Sequence, residues 1–150
     1  MLKTIHPLLN ADVLRALAAM GHGDTLVICD ANFPADSVAR KTSLGKLLRI
    51  DSATAPEVAD AVLSLLPLDT FIDDAAQCME VVGAPHERPD VQLEVQAIIN
   101  QHETQSFPLS PVERFEFYDR ASEAYAVIAC NERRFYGCFI LTKGVIAPEA

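Results

Sequence analysis

The chain has 150 residues, a formal net charge of −9 and a pI near 4.7. Half of its residues are hydrophobic and 22% are charged, the proportions of an ordinary globular domain with apolar material enough for a core. The acidic balance argues against nucleic acid, whose phosphates need a basic face, and against an anionic membrane surface. A small neutral or cationic molecule, or another protein, is the more natural partner.

No apolar run reaches the roughly 20 residues of a membrane span. Residues 1–7 lack the apolar stretch of a signal peptide, so a cytoplasmic location is the expectation. Cys29, Cys78, Cys130 and Cys138 have no zinc-site spacing, and each sits in or beside an apolar run. They read as buried, reduced thiols that behave as small core hydrophobes, and no metal is expected.

Asn10 is a good N-cap for a helix over 11–20, with Val13, Leu14 and Leu17 at helical spacing and Gly21 as its left-handed end. The nearly all-apolar run 25–29 predicts a strand buried on both faces, and 30–41 reads as loop. A weaker strand follows over 44–50. Thr54-Ala-Pro-Glu57 is a capping box with proline in the first turn, opening a helix that Pro67 stops. A strand is expected over 78–82 and a helix over 90–102. Ser110-Pro-Val-Glu113 repeats the capping signature and predicts a helix through 123. The β-type runs 124–130 and 136–142, joined by the polar turn 131–134, predict a C-terminal hairpin. No linker or repeat interrupts the chain. The expectation is one α/β domain over 1–150, three layers deep with a mixed sheet.

Polar residues at element ends are few. His22 lies between two glycines that allow close approach of backbone or ligand, and histidine both gives and takes a proton near neutral pH. Asp30 follows a hydrophobic strand, where α/β sheets present ligand-contacting groups. It can equally begin the loop as an Asx-turn residue. Arg114, Tyr118 and Tyr136 complete the set. No nucleophile elbow, phosphate loop or metalloprotease motif is present. What remains is an acid/base kit, suited to proton transfer on a small polyol or carbonyl compound.

Met20-Gly-His-Gly-Asp-Thr-Leu-Val-Ile-Cys-Asp30-Ala-Asn-Phe-Pro34 resembles the signature of the L-fucose mutarotase and D-ribose pyranase family. The opening Met1-Leu-Lys-Thr-Ile, the block Arg114-Phe-Glu-Phe-Tyr118-Asp-Arg-Ala, and Glu132-Arg-Arg-Phe-Tyr136-Gly followed by Leu141-Thr-Lys-Gly-Val145 are similar to the fucose branch, in order. The resemblance implies a cofactor-independent isomerase that interconverts the anomers of L-fucose or a related monosaccharide, assembled as a ring-shaped homo-oligomer, a pentamer or a homodecamer. It implies His22 as the catalytic acid, with Asp30, Arg114 and the segment Tyr136-Gly137-Cys138 on the sugar. Tyr118 is a further candidate contact, covering the apolar sugar face together with Tyr136 or Phe33. Arg114, where pyranases tend to place histidine, favours the fucose branch over a ribose pyranase. Cys138 departs from the family pattern, in which asparagine follows Tyr-Gly, and removes a polar side chain from the expected pocket. A non-catalytic sugar-binding oligomer is the remaining alternative.

His22 and Asp30 flank one strand, and eight residues at about 3.3 Å each separate them by up to roughly 26 Å. One small sugar cannot touch both within one subunit unless the chain bends sharply. The expectation is therefore a site at a subunit interface, with His22 of one chain facing Asp30, Arg114 and Tyr136 of its neighbour.

Overall fold

The structure, a computed structural model, describes residues 1–149. These residues form five helices and six strands. In chain order they are α1 (Ala11–Ala19), β1 (Thr25–Cys29), α2 (Ala35–Ala39), β2 (Leu48–Ile50), α3 (Ala55–Leu63), β3 (Ala76–Met79), α4 (Asp90–His102), β4 (Ser110–Val112), α5 (Arg114–Ser122), β5 (Ala126–Cys130) and β6 (Phe139–Thr142). The Asn10 carboxamide accepts the Val13 N–H at 3.0 Å and starts α1 as expected. At α3 the Glu57 carboxylate reaches back to the Thr54 N–H at 2.7 Å and the Thr54 hydroxyl at 2.8 Å.

All six strands lie in one sheet, in the order β2-β5-β1-β6-β3-β4. β5 runs parallel to both β1 and β2, and β4 parallel to β3, whereas β6 is antiparallel to β1 and β3. The sheet is mixed, as the sequence predicts, but the C-terminal hairpin does not form. β5 and β6 each pair with β1, which lies between them. The connection over 131–138 is long enough to step across the end of β1, which a tight turn could not do.

Three other expectations need correction. Residues 35–39 form the short α2, where a loop was expected. Ser110–Val112 is not a helix start but an edge strand, and Glu113 caps α5 in its place. Proline at Pro111 fits an edge, where a missing N–H costs no ladder bond. The left-handed turn after α1 falls at Gly23 (φ 87°), whereas Met20, the residue that caps α1, is extended.

Side chains of β1 alternate between two cores. Leu26 and Ile28 pack with α1, α3 and α4 through residues such as Val13, Val62, Val95 and Ile99. Val27 and Cys29 face the other way, onto α2 and α5 through Val38, Phe117 and Ala121. The result is the expected three-layer α/β/α sandwich. All four cysteines are buried and free, Cys78 and Cys130 in the first core and Cys29 and Cys138 in the second.

Candidate functional site

Because only β6 runs against the rest, the carboxyl ends of the other five strands share one edge of the sheet. A cavity of about 380 Å³ opens there, beside Asp30 after β1, Met79 at the end of β3, Arg114 after β4, and Tyr136 and Cys138 before β6. That is where open α/β sheets place ligands. Its polar lining residues are Asp30, Asn32, Arg114, Tyr118 and Tyr136, and its apolar ones Phe33, Met79, Val82, Phe135 and Cys138. Five of the seven residues singled out in the sequence thus meet in one space.

Each is held by its neighbours. Arg114 and Tyr118 stand one turn apart on α5, and the Arg114 Nε–H donates to the Tyr118 hydroxyl at 3.0 Å. That hydrogen bond, followed by electrostatic attraction to the Tyr118 hydroxyl, pushes an already basic group further up, and the guanidinium also lies 5.5 Å from the Tyr118 ring centroid. Tyr136 adopts φ 63°, a region that non-glycine residues occupy only when the surroundings impose it. Here its hydroxyl accepts the Val82 N–H at 3.2 Å, and its carbonyl accepts the Nε2–H of buried Gln92, also at 3.2 Å. Burial pushes the Cys138 thiol well above its ordinary range, and the negative charge of Asp30 adds to the shift. It stays a neutral thiol.

Asp30 proves to be both an Asx-turn residue and a wall of the cavity. Its Oδ1 accepts the N–H groups of Asn32 (3.0 Å) and Phe33 (3.1 Å), and its Oδ2 accepts the Gly137 N–H at 3.2 Å. Gly137 lies behind the cavity wall and acts through Asp30. A Cβ there would come within 2.7 Å of Glu132 Cγ, so only glycine permits this approach. Glu132, itself buried, braces the crossover by accepting from the Arg134 N–H, the Arg134 guanidinium and the Ala55 N–H.

His22 is not in this cavity. It sits in the turn between α1 and β1, at the opposite end of β1 from Asp30, and the five residues of that strand span roughly 16 Å. There its Nε2 lies 3.1 Å from Asp69 Oδ1, and its ring stacks at a tilt on Phe71, with centroids 5.4 Å apart. Burial alone would push the Asp69 carboxyl up. The Phe71 N–H and the His22 ring outweigh it and hold the group below the usual carboxylate range. An ionised carboxylate only accepts, so Nε2 carries the proton and Nδ1 is left to exchange one with a ligand. The imidazole is 43% exposed while Asp69 is almost fully covered, which leaves the ring available and its anchor dry.

Asp69 had no signal in the sequence, because only the fold brings it across 47 residues to His22. Met79, Val82 and Phe135 were missed for the same reason: an apolar residue carries no mark of which cavity it will line. Among the described residues, no three His, Cys, Asp or Glu side chains gather into a metal-ligating cluster. No helix among them is long and apolar enough to cross a membrane.

These features define a three-layer α/β protein with a small-ligand cavity at its strand carboxyl ends and an oriented histidine at the other edge of the sheet. The chain belongs to the RbsD / FucU transport protein family, whose sequence profile matches residues 3–146. Fucose mutarotase of Homo sapiens is 42% identical over 149 residues, covering 97% of this chain and 95% of the human protein. The crystal structure of the fucose mutarotase from Streptococcus pneumoniae in complex with L-fucose superposes with a TM-score of 0.87 at 37% identity, covering 97% of this chain and 100% of that one. The crystal structure of protein Atu2016 is 58% identical with a TM-score of 0.95, covering 98% of this chain and 97% of that chain.

Proposed function

We propose that this chain is a sugar mutarotase acting on L-fucose or a sterically similar monosaccharide, with His22 moving the proton. The observation that carries the reading is the convergence of Asp30, Arg114, Tyr118 and Tyr136 on one cavity of about 380 Å³. That volume lies at the lower end of ligand pockets, which run from about 300 to 1,000 Å³. Its lining combines charged and hydroxyl groups with apolar side chains, which suits a ring that presents both hydroxyls and C–H. Relatives named fucose mutarotase, one of them holding L-fucose, support the choice of sugar.

Mutarotation removes a proton from the anomeric hydroxyl and delivers one to the ring oxygen as the C1–O5 bond breaks. Rotation about C1–C2 exposes the other face of the aldehyde, and closure reverses both transfers. No electron is exchanged, so the chemistry asks only for a positioned acid/base. His22 Nδ1 is free for that task while Asp69 holds the ring by Nε2. Such a group contributes typically about 10²–10⁴-fold. Arg114 and Asp30 bind hydroxyls by charge-assisted hydrogen bonds.

In this reading the site is completed by a second copy of the chain, because His22 and the cavity lie at opposite ends of β1. Each end carries exposed apolar side chains, Phe71 beside His22 and Phe135 beside the cavity, both 72% exposed. Two such patches, each beside half of the chemistry, fit a head-to-tail interface.

Saturation-transfer NMR on the anomeric protons of L-fucose tests the reading. Native protein is expected to accelerate α/β exchange, and His22→Ala to abolish the acceleration. Undiminished exchange in the variant would remove His22 from the acid role. Acceleration confined to pyranose–furanose exchange of D-ribose would make the protein a pyranase instead. Calorimetric sugar binding without any exchange would leave a sugar-binding oligomer.

A further inference from the structure

We infer that Lys143 is a positioning residue for the proton-transferring histidine, the central link of a strap that fixes His22 and Asp69 relative to each other. The inference rests on the proposed role of His22. Neither loop carrying the pair is part of a helix or strand, yet both are pinned to the same three residues after the centre of β6. On one side, the Lys143 carbonyl accepts the Gly23 N–H and its own N–H donates to the Asp24 carbonyl, both at 2.9 Å. On the other, the Thr142 carbonyl accepts the Asp69 N–H at 3.0 Å, and the Gly144 N–H donates to the Pro67 carbonyl at 2.8 Å. His22 and Asp69 therefore share one rigid reference, the exit of a central strand.

The Lys143 side chain adds what backbone alone does not. Its Nζ donates to the carbonyls of Leu17 at 2.8 Å and Met20 at 2.5 Å, the last turn of α1 and the residue that caps it. Those carbonyls have no partner within the helix, and α1 has no basic residue in its own last turn. The ammonium both satisfies them and complements the negative end of the helix dipole. It thereby fixes Met20, two residues before His22. Gly144 closes the strap from the other side: a Cβ there would lie 2.5 Å from the Leu68 carbonyl oxygen and 2.8 Å from Asp69 Cα. A displacement of about 1 Å in a catalytic group is enough to cost on the order of 10²-fold in rate. The charged groups packed about the His22 turn are Asp69 at the ring's Nε2, Asp24, whose carboxylate accepts the Gly21 N–H, and Lys143, whose ammonium donates to the Met20 carbonyl.

The test uses the full-length assembled protein with Lys143→Met, which keeps the apolar stem and removes the charge, and Lys143→Arg, which restores a cation. Lys143→Gln, which retains a donor, serves if the Met variant does not fold. Anomer exchange on L-fucose gives kcat and KM, and the imidazole carbon-bound proton of His22 is titrated by NMR. Lys143→Met is expected to lower kcat at least roughly tenfold with a much smaller change in KM, since the sugar-binding side chains lie at the far end of β1. It is also expected to shift the His22 titration, and Lys143→Arg to recover most of both. An unchanged titration and kcat in folded Lys143→Met or Lys143→Gln overturns the inference. So does a loss that tracks only the folded fraction. The NMR titration is independent of turnover. If His22→Ala keeps full exchange while Lys143→Met still moves the titration, the acid assignment falls and the strap stands.

Discussion

Glu132 shows how much of this site is held from behind. It is 2% exposed, and burial alone would push its carboxyl up. Its hydrogen bonds to the Arg134 guanidinium and N–H and to the Ala55 N–H reverse the sign and hold it below the ordinary range. Arg134 in turn grips Glu94 by two further bonds of 2.8 and 2.9 Å. A carboxyl whose folded pKa is depressed contributes stability that is fully present above the unfolded value of about 4.3 and is lost as pH falls through the folded value. Glu132→Gln replaces an acceptor with an amide donor that faces other donors, and is expected to lower stability at neutral pH by roughly 2–3 kcal/mol. The gap between native and variant should begin to narrow as the pH falls below the unfolded value of about 4.3. Urea denaturation at pH 7 and pH 3.5 checks both halves, and a gap independent of pH would show that the carboxylate charge is not what matters. Residue identities at the cavity were largely legible in the chain, since Asp30, Arg114, Tyr118 and Tyr136 are polar residues at element ends. Their braces were not: Glu132, Gln92 and Asp69 acquire meaning only from partners that the fold supplies.

At the scale of elements, α5 delivers Arg114 and Tyr118 to the cavity, and its start is governed by Glu113. The Glu113 carboxylate accepts the N–H groups of Phe115 at 3.0 Å and Glu116 at 3.2 Å, next to the positive end of the helix dipole. Glu113→Ala is expected to cost about 1 kcal/mol and to fray the turn that carries Arg114. A severalfold rise in KM for L-fucose with kcat nearly unchanged should follow, measurable by the same NMR exchange. A fall in kcat with KM fixed would mean that Arg114 acts in the chemical step. The Ser-Pro-Val-Glu pattern predicted this helix correctly and its first residue wrongly, because residues 110–112 found a better use pairing with β3. The same competition explains the hairpin that does not form. Two β-type runs flanking a polar turn do predict adjacency, but all three strands are apolar and buried, and β1 pairs with both and lies between them. The crossover this forces passes over Asp30, and it places Tyr136, Gly137 and Cys138 in or behind the cavity wall. Element types are local and can be read from periodicity, whereas strand order is settled by which strands must be buried on both sides.

For the whole molecule, His22 and the cavity lie at opposite ends of β1, so the proposed mutarotase site needs a second copy of the chain to complete it. In the assembly proposed above, a surface that carries His22 and Phe71 would meet a different surface that carries the cavity and Phe135, each protomer giving its histidine to one neighbour and receiving one from another. Head-to-tail contacts of this kind propagate until the rotation closes a ring. The arrangement can be tested without knowing the ring size. His22→Ala lacks the acid but keeps an intact cavity, and Arg114→Ala keeps the acid but loses a principal sugar contact. Each variant alone is expected to be inactive. If they are unfolded together, mixed in equal amounts and refolded, a protomer with intact His22 will abut a protomer with intact Arg114 at about one interface in four. Roughly a quarter of native exchange activity should then return, and doubly substituted chains mixed with native ones should give a distinguishable dilution curve. A site contained in one chain predicts no recovery at any mixing ratio, because every chain in the mixture lacks one of the two groups. Phe71→Ser supplies the structural control, since weakening the histidine-bearing surface should shift the sedimentation coefficient toward the protomer and abolish recovery while far-UV circular dichroism stays native.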